Sequence, residues 1–159
     1  MYTLFTKDIE LNIDTGAGII SSLKLGGAVR THGACPIFRI RLRDLNGACY
    51  YIDSTKSNLV SASANEFVYN GFGGDFNFLT VRVIVRAAGF ISWQISVENV
   101  PNEYALEWAE FPKICLPRLI DNCPSGGRIL FPYDEGILLT DESSLPRYEP
   151  EFPMSGAHF

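Results

Sequence analysis

Apolar and polar residues alternate along most of this chain, most clearly from Leu79 to Glu98. Leu79, Val81, Val83 and Val85 alternate with Thr80, Arg82, Ile84 and Arg86, and Ile91, Trp93, Ile95 and Val97 with Ser92, Gln94, Ser96 and Glu98. Successive side chains on a strand point to opposite faces, so each half predicts a β-strand with one apolar row against a core. The link between the halves sets their register. A two-residue loop at Ala88-Gly89 pairs odd with even positions and sends one apolar row to water. A three-residue loop, Ala87-Ala88-Gly89, pairs Val85 with Ile91, Val83 with Trp93, Val81 with Ile95 and Leu79 with Val97. It wants its last residue left-handed, where Gly89 stands. The expectation is a hairpin at the centre of a sheet, with Trp93 in the core.

The same period recurs elsewhere. Ile9, Leu11 and Ile13 alternate, residues 14–18 turn, and Ile19 to Leu25 returns before Gly26-Gly27. Residues 28–36 read as a loop carrying His32. Phe38, Ile40 and Leu42 alternate with Arg39, Arg41 and Arg43. Asn46-Gly47 then predicts a tight hairpin turn that pairs Leu42 with Tyr51 and Arg41 with Ile52, and leaves Asp44 opposite Cys49. The three arginines form either a cationic strip for an anionic ligand or, more plainly, a solvated face that keeps an edge strand from pairing with another chain.

Residues 53–65 are polar and read as a loop or irregular edge. Glu66 to Phe72 is a strand that closes on a glycine-rich turn at residues 71–75. No Lys-Ser/Thr pair and no helix follow it, so it is not a phosphate loop. Residues 99–102 turn. Tyr104 to Phe111 alternates as a strand stopped by Pro112. Lys113 to Ile120 is another strand, weakened by Pro117. A turn-rich loop follows, then strands at residues 128–131 and 137–139 around a turn at 132–136. Roughly ten short strands without a convincing helix predict an all-β fold, an antiparallel β-sandwich over residues 1–140. Residues 141–159 are Pro-rich and read as a tail or linker.

Composition narrows the function. The 13 basic residues are outnumbered by 18 acidic ones, which argues against nucleic acid as a partner. The opening has no basic-then-apolar run, and no apolar stretch approaches the roughly 18 residues of a membrane span. The expectation is a cytoplasmic protein without a membrane partner. Cys35, Cys49, Cys115 and Cys123 show no close CxxC spacing, so buried thiols in a reducing compartment come before disulfides, and no metal or other cofactor is expected.

Three stretches carry a resemblance. DTGAGIISSLKLGG resembles the opening hairpin of sugar-active β-supersandwich domains. SWQISVENVPNEYALEWAEFPKI resembles their central strand pair and the strand ending in Phe-Pro. GRILFPYDEGILL resembles the segment near the exit of that domain. In this order they are similar to the galactose-mutarotase-like sandwich at the front of large bacterial glycoside hydrolases. The resemblance implies a following catalytic (β/α)8 barrel, entered through the Pro-rich tail. The chain lacks the alternating strand-helix pattern and roughly 250 residues that a barrel needs. It is also shorter than such sandwiches usually are. The expectation is therefore a non-catalytic N-terminal domain that supports or lines a separate barrel. A self-standing carbohydrate-binding module and a mutarotase-like epimerase are the alternatives.

The residues weigh these readings. Glycoside hydrolysis needs two carboxylates about 5–5.5 Å apart for retention and about 6.5–9.5 Å for inversion. Glu107 and Glu110 fall on opposite faces of an ideal strand, and adjacent Asp134 and Glu135 diverge, so no catalytic residue is assigned. Mutarotation needs a general acid and base, typically a carboxylate and a histidine. His32 sits in a loop without an identifiable partner, and His158 lies in the tail. No GxSxG elbow is present. Sugars stack C–H faces on aromatic rings while carboxylates and amides hold their hydroxyls. Tyr104, Trp108 and Tyr133, near Glu107, Asp134 and Glu135, are the best carbohydrate-binding or domain-contact candidates. More plainly, Trp108 packs in the core or against a neighbouring domain. A sandwich separated from its barrel exposes an apolar patch, so self-association is also expected.

Overall fold

A computed structural model describes residues 1–31 and 33–115, together with strands Ile129–Phe131 and Ile137–Leu139. The chain divides into two units, Met1–Cys115 and Leu116–Phe159. In the first unit the strands are β1 (Tyr2–Phe5), β2 (Ile9–Asp14), β3 (Ile19–Leu25), β4 (Ala28–Val29), β5 (Cys35–Pro36) and β6 (Arg39–Asp44). They continue with β7 (Cys49–Asp53), β8 (Asn58–Ala62), β9 (Glu66–Asn70), β10 (Thr80–Ala87), β11 (Ile91–Glu98) and β12 (Tyr104–Glu110). In the second unit, β13 (Ile129–Phe131) and β14 (Ile137–Leu139) form an antiparallel hairpin, at the two positions where strands were expected.

The first unit is all-β and sandwich-like. One sheet runs β1-β2-β3-β4, with β5 also on β3; a second runs β11-β10-β9-β8; a third runs β12-β6-β7. Every described strand pairing is antiparallel. The period-two rows become the core: Leu11, Ile13 and Ile20 from the first sheet, Ile40, Leu42 and Ile52 from the third, and Phe67, Tyr69, Val81, Val83 and Val85 from the second are buried together. Each fully buried aliphatic of this kind contributes about 1.5–3 kcal/mol. Rings join the sheets. Tyr2 meets Phe67 edge-on at 5.0 Å, and Phe38 meets Tyr69 at 5.8 Å. Tyr69 is buried, and its hydroxyl donates to the Thr15 carbonyl at 3.1 Å.

Several expectations need correction. The Leu79–Glu98 hairpin keeps its faces but not its register: Ala87 pairs with Ile91, Val85 with Trp93, Val83 with Ile95 and Val81 with Val97. The loop is Ala88-Gly89-Phe90, two positions along in the pairing sum. Both loops are three residues long, so inward rows still meet inward rows. Phe90 is left exposed at the tip. Among the described strands β10 is interior and β11 is marginal, so the hairpin is not central. Trp93 is accordingly half-buried, its ring edge-on to Phe111 at 5.7 Å.

The Asn46-Gly47 hairpin also differs, by one residue. Leu42 pairs with Tyr50, Arg41 with Tyr51 and Arg43 with Cys49. The Asp44 carboxylate Oδ1 accepts N–H bonds from Asn46 at 2.9 Å and Ala48 at 2.8 Å, while Gly47 N donates to Asp44 O at 3.0 Å. This makes a three-residue loop in which Gly47 alone takes positive φ, at 87°. Residues 113–115 form no ladder: Lys113 N donates instead to Ile37 O at 3.0 Å. The rest of the strand expected to Ile120 lies outside the described residues. Strand β1 was not expected; only Leu4 of its four residues is fully buried, too short a pattern to read. No described helix is long and apolar enough to cross a membrane.

Candidate functional site

The site grows from an irregularity in β12. Tyr104 pairs with Asp44 and Leu106 with Leu42, but Trp108 then pairs with Arg41 and Glu110 with Arg39. One extra residue, Glu107, sits in β12 at the slip, and such a bulge re-aims the side chains after it. Tyr104 lies before the slip. Its ring packs among Tyr50, Phe76 and Phe78, at 6.1, 5.8 and 5.4 Å. Glu107, Trp108 and Glu110 instead meet the arginine face of β6.

This face is a charge ladder with an aromatic corner. The Glu107 carboxylate is shared: Oε2 lies 2.7 Å from Arg41 Nε, and Oε1 accepts from Arg43 Nε. Glu110 Oε2 lies 2.8 Å from Lys113 Nζ and 3.8 Å from Arg39. The Arg41 Nε–H does not point at its carboxylate, so that pair is held by Coulomb attraction rather than a directed hydrogen bond. Arg41 Nη2 donates to Cys49 Sγ at 3.1 Å, and the guanidinium carbon lies 5.9 Å from the Tyr51 ring centre. Cys49 foremost, with Glu107 behind it, holds the Arg41 proton more tightly than usual; Glu107 does so for Arg43. The arginines therefore do not guard an edge. Strand β6 is the middle strand of its sheet, and its cations are matched across the ladder.

Tyr51 and Trp108 close the corner. Their ring centres are 5.9 Å apart, with planes tilted by 58°. Tyr51 is 49% exposed, and Trp108 is half-buried. The indole Nε1–H of Trp108 is buried and has no acceptor. Leaving such a donor unpaired costs about 1–3 kcal/mol, so it asks for an explanation.

Of the residues singled out from sequence, Glu107 and Trp108 come together here, and Tyr104 belongs to the ring cluster beyond the bulge. Tyr133, Asp134 and Glu135 lie outside the described residues, as do His32, His158 and Cys123. The bulge, not ideal alternation, brings Glu107 and Glu110 to one set of cations. Arg41 stands out in the sequence as part of a cationic strip, but Tyr51 and Cys49 do not, because the turn register differs by one residue from the expected one. The Asp44 carboxylate, a known acceptor for loop N–H groups, was the signal that would have corrected it. Among the described residues no group of three metal-ligating side chains converges, and Cys35, Cys49 and Cys115 are free thiols. Both Glu107 oxygens face arginines, and Glu110 Oε2 faces Lys113 and Arg39, so each carboxylate here has cationic partners. Comparison with protein-family models, curated proteins and solved structures finds no match to the chain.

Proposed function

We propose that the chain is a non-catalytic β-sandwich module of a carbohydrate-active protein, and that the Tyr51–Trp108 corner is where it takes a sugar ring. The observation that carries this reading is the 49% exposed Tyr51 ring tilted against Trp108 at 5.9 Å, beside the arginine face of β6. A sugar has the matching chemistry: C–H faces for the rings and hydroxyl oxygens for N–H donors. Arg43, whose side chain is 45% exposed, adds charged donors at the margin. The neutralised carboxylates support a binding role, with bond cleavage left to a separate catalytic barrel that the module braces or lines.

Calorimetry against a glycan panel tests the reading. Binding is expected to at least one glycan, weakened about tenfold or more by Trp108→Ala and Tyr51→Ala in folded protein, a loss of about 1.4 kcal/mol per tenfold. No heat with any glycan at millimolar protein sinks the proposal. Polarimetry separates the epimerase alternative, which requires anomers to interconvert faster with the protein than in buffer.

A further inference from the structure

We propose that Cys35 and Cys115 are an oxidisable pair that a hydroperoxide closes into a disulfide. The two residues lie 80 positions apart in sequence, yet the Cys115 backbone N–H donates to Cys35 Sγ at 3.2 Å. With a standard N–Cα bond, Cys115 Cα then lies within about 4.7 Å of that sulfur, so the two cysteines are neighbours in the fold. Cys35 Sγ also donates to the Lys113 carbonyl at 3.0 Å, so the segment leading to Cys115 is anchored on both sides of this thiol. Cys49, by contrast, is engaged by Arg41 on the outer face of another sheet.

The environments assign the roles. Cys35 is 3% exposed, and burial pushes its thiol up to about 11, so it is a poor first nucleophile. Cys115 is half-buried and meets the peroxide first. Its thiolate attacks the O–O bond, giving a sulfenic acid and releasing the alcohol, or water from hydrogen peroxide. Cys35 sulfur then attacks the Cys115 sulfur. The S–S bond forms, the S–O bond breaks, and the departing hydroxide takes the Cys35 proton to leave as water. The two sulfurs have together given two electrons to the peroxide. The Cys115 N–H already aimed at Cys35 Sγ stabilises the charge that develops there.

The test uses the fully reduced full-length chain, treated with a small excess of hydrogen peroxide and mapped by mass spectrometry without reduction. The expected product joins the peptides containing Cys35 and Cys115, is reversed by dithiothreitol, survives Cys49→Ser, and is absent from Cys115→Ser. The oxidised protein also melts higher than the reduced one, because the cross-link restrains its unfolded chain. Cys115 is the better control, since Cys35→Ser places a hydroxyl in the core and threatens folding. Recovery of Cys115 as a sulfinic acid beside a reduced Cys35, or joined to Cys49 or Cys123, overturns the proposal.

Discussion

The Ser54 hydroxyl donates to the Gly18 carbonyl at 2.5 Å, and the same oxygen accepts the Ile37 N–H at 2.8 Å. One buried hydroxyl thus ties the β2–β3 turn to the segments that precede β6 and follow β7. Gly18 has φ of 67°, and a Cβ there would run into the Ser54 carbonyl. Gly18→Ala therefore meets both backbone strain and a collision with main chain, and should cost about 3 kcal/mol or more. Ser54→Ala removes the hydroxyl and should cost about 1–3 kcal/mol. Chemical denaturation of the two variants checks the order; a Gly18→Ala protein as stable as the parent would contradict this account of the joint.

Glu107 separates two guanidiniums two positions apart on one strand. Glu107→Gln leaves Arg41 and Arg43 facing each other without their shared counter-charge. The variant should melt lower, and added salt should recover part of the loss, because screening weakens like-charge repulsion. Melting curves at low and high ionic strength read the sign. In the parent, salt should instead weaken the attraction and act in the opposite direction at this cluster.

Asp44 makes the β6–β7 turn sensitive to acid. The Ala48 N–H foremost, and then the Tyr50 hydroxyl and the Asn46 N–H, hold its carboxyl below the ordinary aspartate value of 3.8. A depressed folded value gives stability that is full above the unfolded value and lost as pH falls through the folded one. Stability measured between pH 6 and about pH 2 should therefore decline partly through this residue. Asp44→Asn should be less stable at pH 6 and show a shallower acid slope. An unchanged slope would mean the turn does not depend on the ionised carboxylate.

The alternation in the sequence made the faces legible and left the registers hidden. Val81, Val83 and Val85 are inward, as are Ile40 and Leu42, because burial follows period two whatever the neighbouring strand. Register depends on a few loop atoms. The Asp44 side chain lengthens one turn by a residue, and Phe90 joins the other. The site was half legible for the same reason: Glu107 and Trp108 stood out by residue type, but a bulge decides which face they serve. That the arginine strand is interior could not be read, because its second neighbour is supplied by a distant part of the chain.

That distance bears on synthesis. Glu107 lies 64 residues after Arg43, so a ribosome releases the three alternate arginines of β6 long before β12 exists to cover them. During that interval a second copy of β6 carries the same three guanidiniums, and like-charge repulsion disfavours pairing of the two copies there. The arriving glutamate then cancels the repulsion for one strand alone. Chains stopped before Tyr104 should stay dispersed, and the same chains with Arg39, Arg41 and Arg43 changed to threonine should clump, which light scattering of released fragments would record.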